Sequence, residues 1–167
     1  MTSRLPTGMR PYISGAPQLG RVEEIVVRPS RRAAARSVGH WDVSDAKVDH
    51  ARSAKRAVTL IQHEHLEVIG RILGRPVLAT ELRRNVVVSG INLLPLRHGF
   101  LEVGEVILRG TVPCDPCSRM QEVLGPGGFA AMWGHGGICA AIVRPGVIRV
   151  GDEVRYIDPE SDEQLSI

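Results

Sequence analysis

The chain is short of cysteine, lysine and aromatic residues, and each shortage narrows what it can be. Three cysteines in 167 residues leave an odd count, too few for a disulfide framework and suited to a reducing compartment. Lysine occurs only at Lys47 and Lys55, so the formal charge of +3 is carried almost wholly by arginine, whose rigid planar fork suits phosphate and carboxylate. Aromatics make up 4%, too few for stacking platforms, and no long Lys/Arg stripe is present. Arg31–Arg32 and Arg83–Arg84 are isolated pairs, so nucleic acid is not expected as a partner. No apolar run approaches the roughly 20 residues that span a bilayer, and the first residues lack the apolar segment of a secretory signal. The composition therefore points to a cytoplasmic, soluble protein of one domain, large enough to bury a core.

Two of the three cysteines lie together, in Cys114–Asp115–Pro116–Cys117. This pair follows an alternating run, Glu105 to Thr111, and precedes a short helix predicted from Ser118 to Leu124. A Cys-x-x-Cys at a strand-to-helix junction sits near backbone N–H groups, which favours the thiolate, the form that binds soft metals and takes part in sulfur chemistry. Cys117 is the candidate metal ligand or persulfide carrier; the plain alternative is a small buried apolar side chain. Cys114 either resolves a persulfide or supports the loop. Cys114, Cys117, His135 and Cys139 also read as a possible tetrahedral zinc set, although Cys139 falls inside a strand-like run. A thioredoxin-type pair is disfavoured because no βαβ pattern precedes the motif.

Elsewhere, Gly20 to Arg28 reads as a first strand, closed by Pro29, and Ala57 to Gln62 as a second. His63 to Leu73 puts Leu66, Ile69 and Leu73 on one helical face, ended by Gly74 and Pro76. Asn85 to Ser89 is a buried strand, Phe100 to Thr111 two strand pieces broken at Gly104, and Phe129 to Trp133 a helical turn. Ile138 to Val143, Val147 to Val150 and Glu153 to Tyr156 complete a run of short strands. Many short strands with few helices predict a sheet closed into a barrel. Arg31 to Arg56, which contains Trp41, Asp49 and His50, shows no periodicity and reads as a long loop. Residues 1–19 read as a loose arm, 20–158 as the domain and 159–167 as a tail.

Taken in order, several segments resemble the MOSC family, named for the C-terminal domain of molybdenum cofactor sulfurase. They are Gly20–Arg21–Val22–Glu23, Val27–Arg28–Pro29, Val58 to Gln62, Leu82 to Asn92, Pro113 to Cys117, Gly134 to Gly137 and Val150 to Val154. The most specific is RRNVVVSGINL followed by a Pro-Cys. The resemblance implies a mainly β, MOSC-type barrel with a few short helices. It implies a role with molybdenum cofactor (molybdopterin), a pterin dithiolene bearing a phosphate, and at family level an association with pyridoxal phosphate. Some members carry sulfur or present cofactor; others bind the cofactor through a cysteine and reduce N-hydroxylated substrates. A sulfur donor or an electron-transfer protein is the implied partner. Cys117 takes the place of the family cysteine. The Gly-Asp-x-His type loop of many members is present only as Val48–Asp49–His50, without its glycine.

Beside that resemblance, the residues suggest further cofactor contacts. Arg83, Arg84 and Asn85 stand at the entry to a buried strand, where an arginine fork and an amide suit a phosphate and a pterin ring. Ser89, at the other end of that strand, offers a hydroxyl or ordinary turn chemistry. His135, between glycines, offers an acid/base or anion donor, or is a turn histidine without a role. His63 and His65 read as surface residues at a helix start.

Overall fold

The computed structural model describes residues 19–30, 33–43, 53–97 and 99–157, together with Tyr12. The residues assigned to an arm and a tail, except Tyr12 and Leu19, lie outside these, as do Asp49 and His50. Among the described residues there are ten strands: β1 (Leu19–Val27), β2 (Arg36–Val38), β3 (His40–Asp42), β4 (Val58–Gln62), β5 (Val86–Ser89), β6 (Phe100–Val103), β7 (Val106–Pro113), β8 (Ile138–Arg144), β9 (Val147–Arg149) and β10 (Glu153–Ile157). The helices are α1 (His63–Leu73), α2 (Ala79–Leu82), α3 (Leu93–Leu96), α4 (Ser118–Leu124) and α5 (Gly128–Met132), with a 3-10 turn at Ala54–Arg56. No helix among the described residues is long and apolar enough to cross a membrane.

Seven strands close a barrel in the order β1, β5, β4, β8, β7, β6, β10, with β10 pairing back onto β1. Closure leaves no free edge within that ring, which removes the usual hazard of edge-to-edge pairing. Every neighbouring pair is antiparallel except β4 and β5. That parallel pair is joined by the segment carrying α1 and α2, because parallel strands cannot be joined by a tight hairpin. The expected long loop from Arg31 to Arg56 is corrected in part. β2 extends β1, β3 pairs with β9, and Val43 is buried. Three-residue strands carry too little periodicity to show in the sequence.

Consecutive side chains explain why Val86 to Val88 includes no polar position. Val86 and Val88 point into the barrel, whereas Val87 joins a second apolar cluster under the helices. Leu60 and Ile61 divide in the same way. The inner cluster fills the barrel with residues such as Val22, Leu60, Leu101, Leu108 and Ile138. The outer one packs Ile69 of α1, Leu82 of α2, Met120 and Leu124 of α4, and Met132 of α5 against β1, β4 and β5. A strand buried on both faces is apolar throughout. The predicted bounds of α1 and α4 agree with those observed; Gly74 ends α1 in the left-handed conformation, φ 70°.

Because Leu60 and Ile61 are both fully buried on opposite sides of one wall, Leu60→Ala and Ile61→Ala should each lower the unfolding free energy by about 2–5 kcal/mol. Denaturant titration distinguishes this from a one-sided wall, where Ile61→Ala would cost no more than about 0.5 kcal/mol.

Candidate functional site

The helices cover one side of the barrel, and the cysteine loop lies where β7 leaves the wall for α4. Pro113 ends β7, and the next residue, Cys114, is pinned at its backbone: its N–H donates to the Gly137 carbonyl at 2.9 Å. Its own carbonyl accepts from Arg84 Nη2 at 3.0 Å. Cys117 follows in extended conformation, φ −124° and ψ 171°, as the residue that caps α4, and its side chain is exposed. This settles the plain alternative, since Cys117 is not a buried apolar filler.

Arg83 and Arg84 diverge. Arg83 ends α2 at φ 57° and ψ 37°, the one non-glycine residue at positive φ among those described. Such a conformation costs on the order of 1 kcal/mol or more and is characteristic of positions whose surroundings fix the backbone. Arg84 turns inward and is 6% exposed. Its Nε donates to the Gly136 carbonyl at 2.7 Å, Nη1 to Leu82 at 2.9 Å and Nη2 to Cys114 at 3.0 Å. Three backbone carbonyls from separate segments thus occupy this guanidinium, which leaves Arg83 as the arginine of the pair that is open to a ligand. Its place is structural: it ties the entry of β5 to the cysteine loop and to the Gly134–Gly137 turn.

Arg83 takes the outward course. It is half-buried and makes no hydrogen bond or ion pair among the described residues. Its pKa is lowered by burial first, and then by the neighbouring charges of Arg28, Arg119 and Arg84, while Cys117 acts in the opposite sense. Arg83 therefore lies among the charges of Arg28 and Arg119 and beside the exposed Cys117 thiol. Arg119 is exposed and pairs with Glu122 at 2.8 Å; Arg28 is half-buried just beyond β1. Like charges gathered this closely repel one another, and a bound anion relieves that repulsion. Arg83 can present bidentate donors to an anionic group beside a soft sulfur.

The other expected contacts fall elsewhere. Asn85 is 8% exposed, and its Oδ1 accepts from the Thr59 N–H at 3.0 Å and the Thr59 hydroxyl at 2.9 Å. Its carbonyl accepts from the Val26 N–H at 2.7 Å, so the residue joins β1 and β4 at the mouth of β5. Ser89 stands at the opposite end of β5, roughly 13 Å away at strand rise, with its hydroxyl donating to Glu23 Oε1 at 2.5 Å. His135 places Nδ1 2.9 Å from the Ala131 carbonyl and meets His65 edge-on, with ring centroids 5.1 Å apart. His65 is corrected from surface to half-buried, and its Nδ1 is buried without a partner among the described residues. Burial, and then the charge of His135, lower its pKa. Trp41 packs against the barrel core, opposite Ile148 of β9.

The glycines around His135 serve the backbone rather than a ligand. A Cβ on Gly136 would lie 2.2 Å from the Cys114 carbonyl oxygen, and one on Gly137, at φ 79°, only 1.9 Å from that of Leu60. The turn is thereby packed directly on the cysteine loop and on β4. The four-residue zinc set is also corrected. No group of three or more potential metal-ligating side chains converges among the described residues. Cys114 and Cys139 are buried and face each other, whereas Cys117 is exposed. The neighbouring Cys139 thiol lowers the Cys114 pKa, with burial opposing this and the charges of Arg84 and Arg56 adding to it. The same contact, with burial, pushes Cys139 up. A separate groove of about 740 Å³ runs along α1 between Glu24, Leu66, Gly70 and Val77, and none of the residues discussed as cofactor contacts line it.

A family model for the MOSC domain matches residues 47–155, well over half of the sequence. The chain belongs to the MOSC domain family. That family is known to bind ligands related to molybdenum cofactor. Among solved structures, the YUAD protein from Bacillus subtilis superposes with a TM-score of 0.69 at 20% identity, covering 83% of this chain and 96% of its own. YiiM from Geobacillus stearothermophilus gives 0.69 at 17% identity, over 83% and 75% of the two chains. YiiM from Escherichia coli gives 0.61 at 16% identity, over 83% and 70%. At these identities the likeness concerns the fold, and it agrees with the closed MOSC-type barrel. No curated protein sequence matches the chain.

Of the arginines gathered at Arg83, sequence reasoning named Arg83 and Arg84 and missed Arg28 and Arg119. Arg28 precedes a strand-ending proline and Arg119 lies two residues beyond Cys117, but neither position reveals which way its side chain turns. Arg84→Met should cost about 3 kcal/mol or more, because buried carbonyls lose charged donors. Arg84→Lys should recover little of it, since an ammonium has no planar fork to reach three acceptors. Thermal and denaturant unfolding of both variants check this.

Proposed function

We propose that this MOSC domain holds molybdenum cofactor, or a molybdenum–sulfur unit, at Cys117 and carries or transfers sulfur through that thiol. The observation that carries the reading is the exposed Cys117 side chain beside Arg83, a guanidinium that also feels the charges of Arg28 and Arg119. The donor set fits such a ligand: a soft thiolate for the molybdenum–sulfur end and unpaired guanidinium donors of Arg83 for a phosphate. When bound, the cofactor supplies a molybdenum–sulfur centre. The chain's residues supply the rest. Arg83 and its neighbours draw in and orient the anionic end, Arg84 fixes the loop, and Cys117 presents its sulfur to solvent.

For sulfur carriage, the Cys117 thiolate attacks the outer sulfur of a donor persulfide. The donor's S–S bond breaks, the donor leaves as a thiolate, and Cys117 keeps one additional sulfur as a persulfide. Exposure of Cys117 is what this exchange needs, since the donor must reach it in line. The runner-up reading, a molybdenum-dependent reductase of N-hydroxylated compounds with an external electron donor, uses the same thiol as a ligand. It replaces the carrier reading if cofactor-loaded protein turns over such a compound with a chemical reductant.

Incubation with glutathione persulfide, followed by intact-mass spectrometry, should add the mass of one sulfur atom to the wild type and none to Cys117→Ser. Equal addition to both would overturn the assignment of Cys117. Arg83→Ala should keep the thiol reactive but weaken binding of molybdopterin by about tenfold or more, as expected on losing a charged donor.

A further inference from the structure

Two of the three cysteines are left unused by this reading, and the fold sets them side by side. Cys139 of β8 pairs with Val112 of β7, and Pro113 pairs with Ile138. Cys114 lies two residues beyond Val112, and its N–H donates to the Gly137 carbonyl, so the ladder continues one step further. Residues two apart on a strand share a face, which makes Cys114 and Cys139 diagonal neighbours on the same side of the wall. That side is the outer one: Ile138 and Ala140 fill the barrel, whereas Cys139 does not. The 3-10 turn Ala54–Arg56 is tied over it. The Thr111 hydroxyl lies 2.6 Å from the Lys55 carbonyl and 3.0 Å from the Cys139 carbonyl. Cys139 is fully buried beneath this turn, while Cys114 keeps 8% exposure.

We infer that Cys114 and Cys139 form a peroxide-reactive dithiol, a modification site separate from Cys117, in which Cys114 is oxidised first and Cys139 resolves it. Their unlike surroundings assign the roles. Cys114 keeps 8% exposure and Cys139 none, so peroxide reaches Cys114 first, and the charges of Arg84 and Arg56 favour its thiolate. Cys139 keeps its proton. In the first step the Cys114 thiolate attacks one oxygen of hydrogen peroxide. The O–O bond breaks, hydroxide leaves, and Cys114 becomes a sulfenic acid. In the second, the Cys139 sulfur displaces the sulfenic oxygen, which leaves as water with the thiol proton, and the S–S bond closes. The peroxide is the two-electron oxidant throughout. The crosslink joins β7 to β8 and is separate from any oxidation of the exposed Cys117 thiol.

The inference does not depend on the cofactor reading, so it is tested in Cys117→Ser. Native protein treated with hydrogen peroxide should lose two thiols and yield a Cys114–Cys139 disulfide on peptide mapping without reduction. The thermal midpoint should rise and return on adding dithiothreitol. Cys139→Ala should stop at a Cys114 sulfenic acid that dimedone traps. Three results would each overturn the inference. One is a disulfide that forms only after denaturation. Another is Cys114 sulfinic acid in place of the disulfide with Cys139 intact. The last is a Cys114–Cys117 disulfide as the main product when the wild type is oxidised.

Discussion

The guanidinium of Arg84 is the interaction on which the site depends. A buried cation is costly unless its donors are met, and here Nε, Nη1 and Nη2 each meet a backbone carbonyl. Those carbonyls belong to the end of α2, the cysteine loop and the glycine-rich turn, three segments far apart in sequence. Each has its own reason to be there. Leu82 packs under the helices, Cys114 follows the proline that ends β7, and Gly136 has no side chain to collide with the Cys114 carbonyl. Arg84 converts three surface excursions of a barrel into one rigid edge. Cys117 is presented from that edge.

Consecutive arginines with opposite fates show how a strained backbone serves this arrangement. Were Arg83 helical or extended, its side chain would leave in another direction relative to Arg84. The left-handed conformation at φ 57° sets one guanidinium inside and the other beside the thiol. Burial holds the inner cation to carbonyls, whereas the outer one makes no side-chain hydrogen bond among the described residues. The cysteines divide similarly: the fold encloses Cys114 and Cys139 between the barrel wall and a short turn, and leaves Cys117 in solvent.

Much of the architecture was legible from the chain, because burial on both faces leaves largely apolar runs such as Val86 to Val88 and Leu60–Ile61. The ends of α1 and α4 were legible too, through Gly74 and the polar start at Ser118. β2 and β3 were not, since three residues carry no period and their stability comes from pairing with β1 and β9. Within the site, the cysteine loop and the neighbouring arginine pair could be located by motif. The direction of each side chain could not, because it is set by a single positive φ and by carbonyls contributed across the fold. His65 was misread for the same reason: its neighbour at a helix start looked like solvent until α5 brought His135 against it.

Elemental analysis of purified protein after incubation with molybdenum cofactor, run beside Cys117→Ser, tests the account most directly. The account predicts near-stoichiometric molybdenum in the wild type and its loss in the variant, with the fold of both unchanged by circular dichroism. Equal molybdenum in both proteins, or none in the wild type, would contradict it.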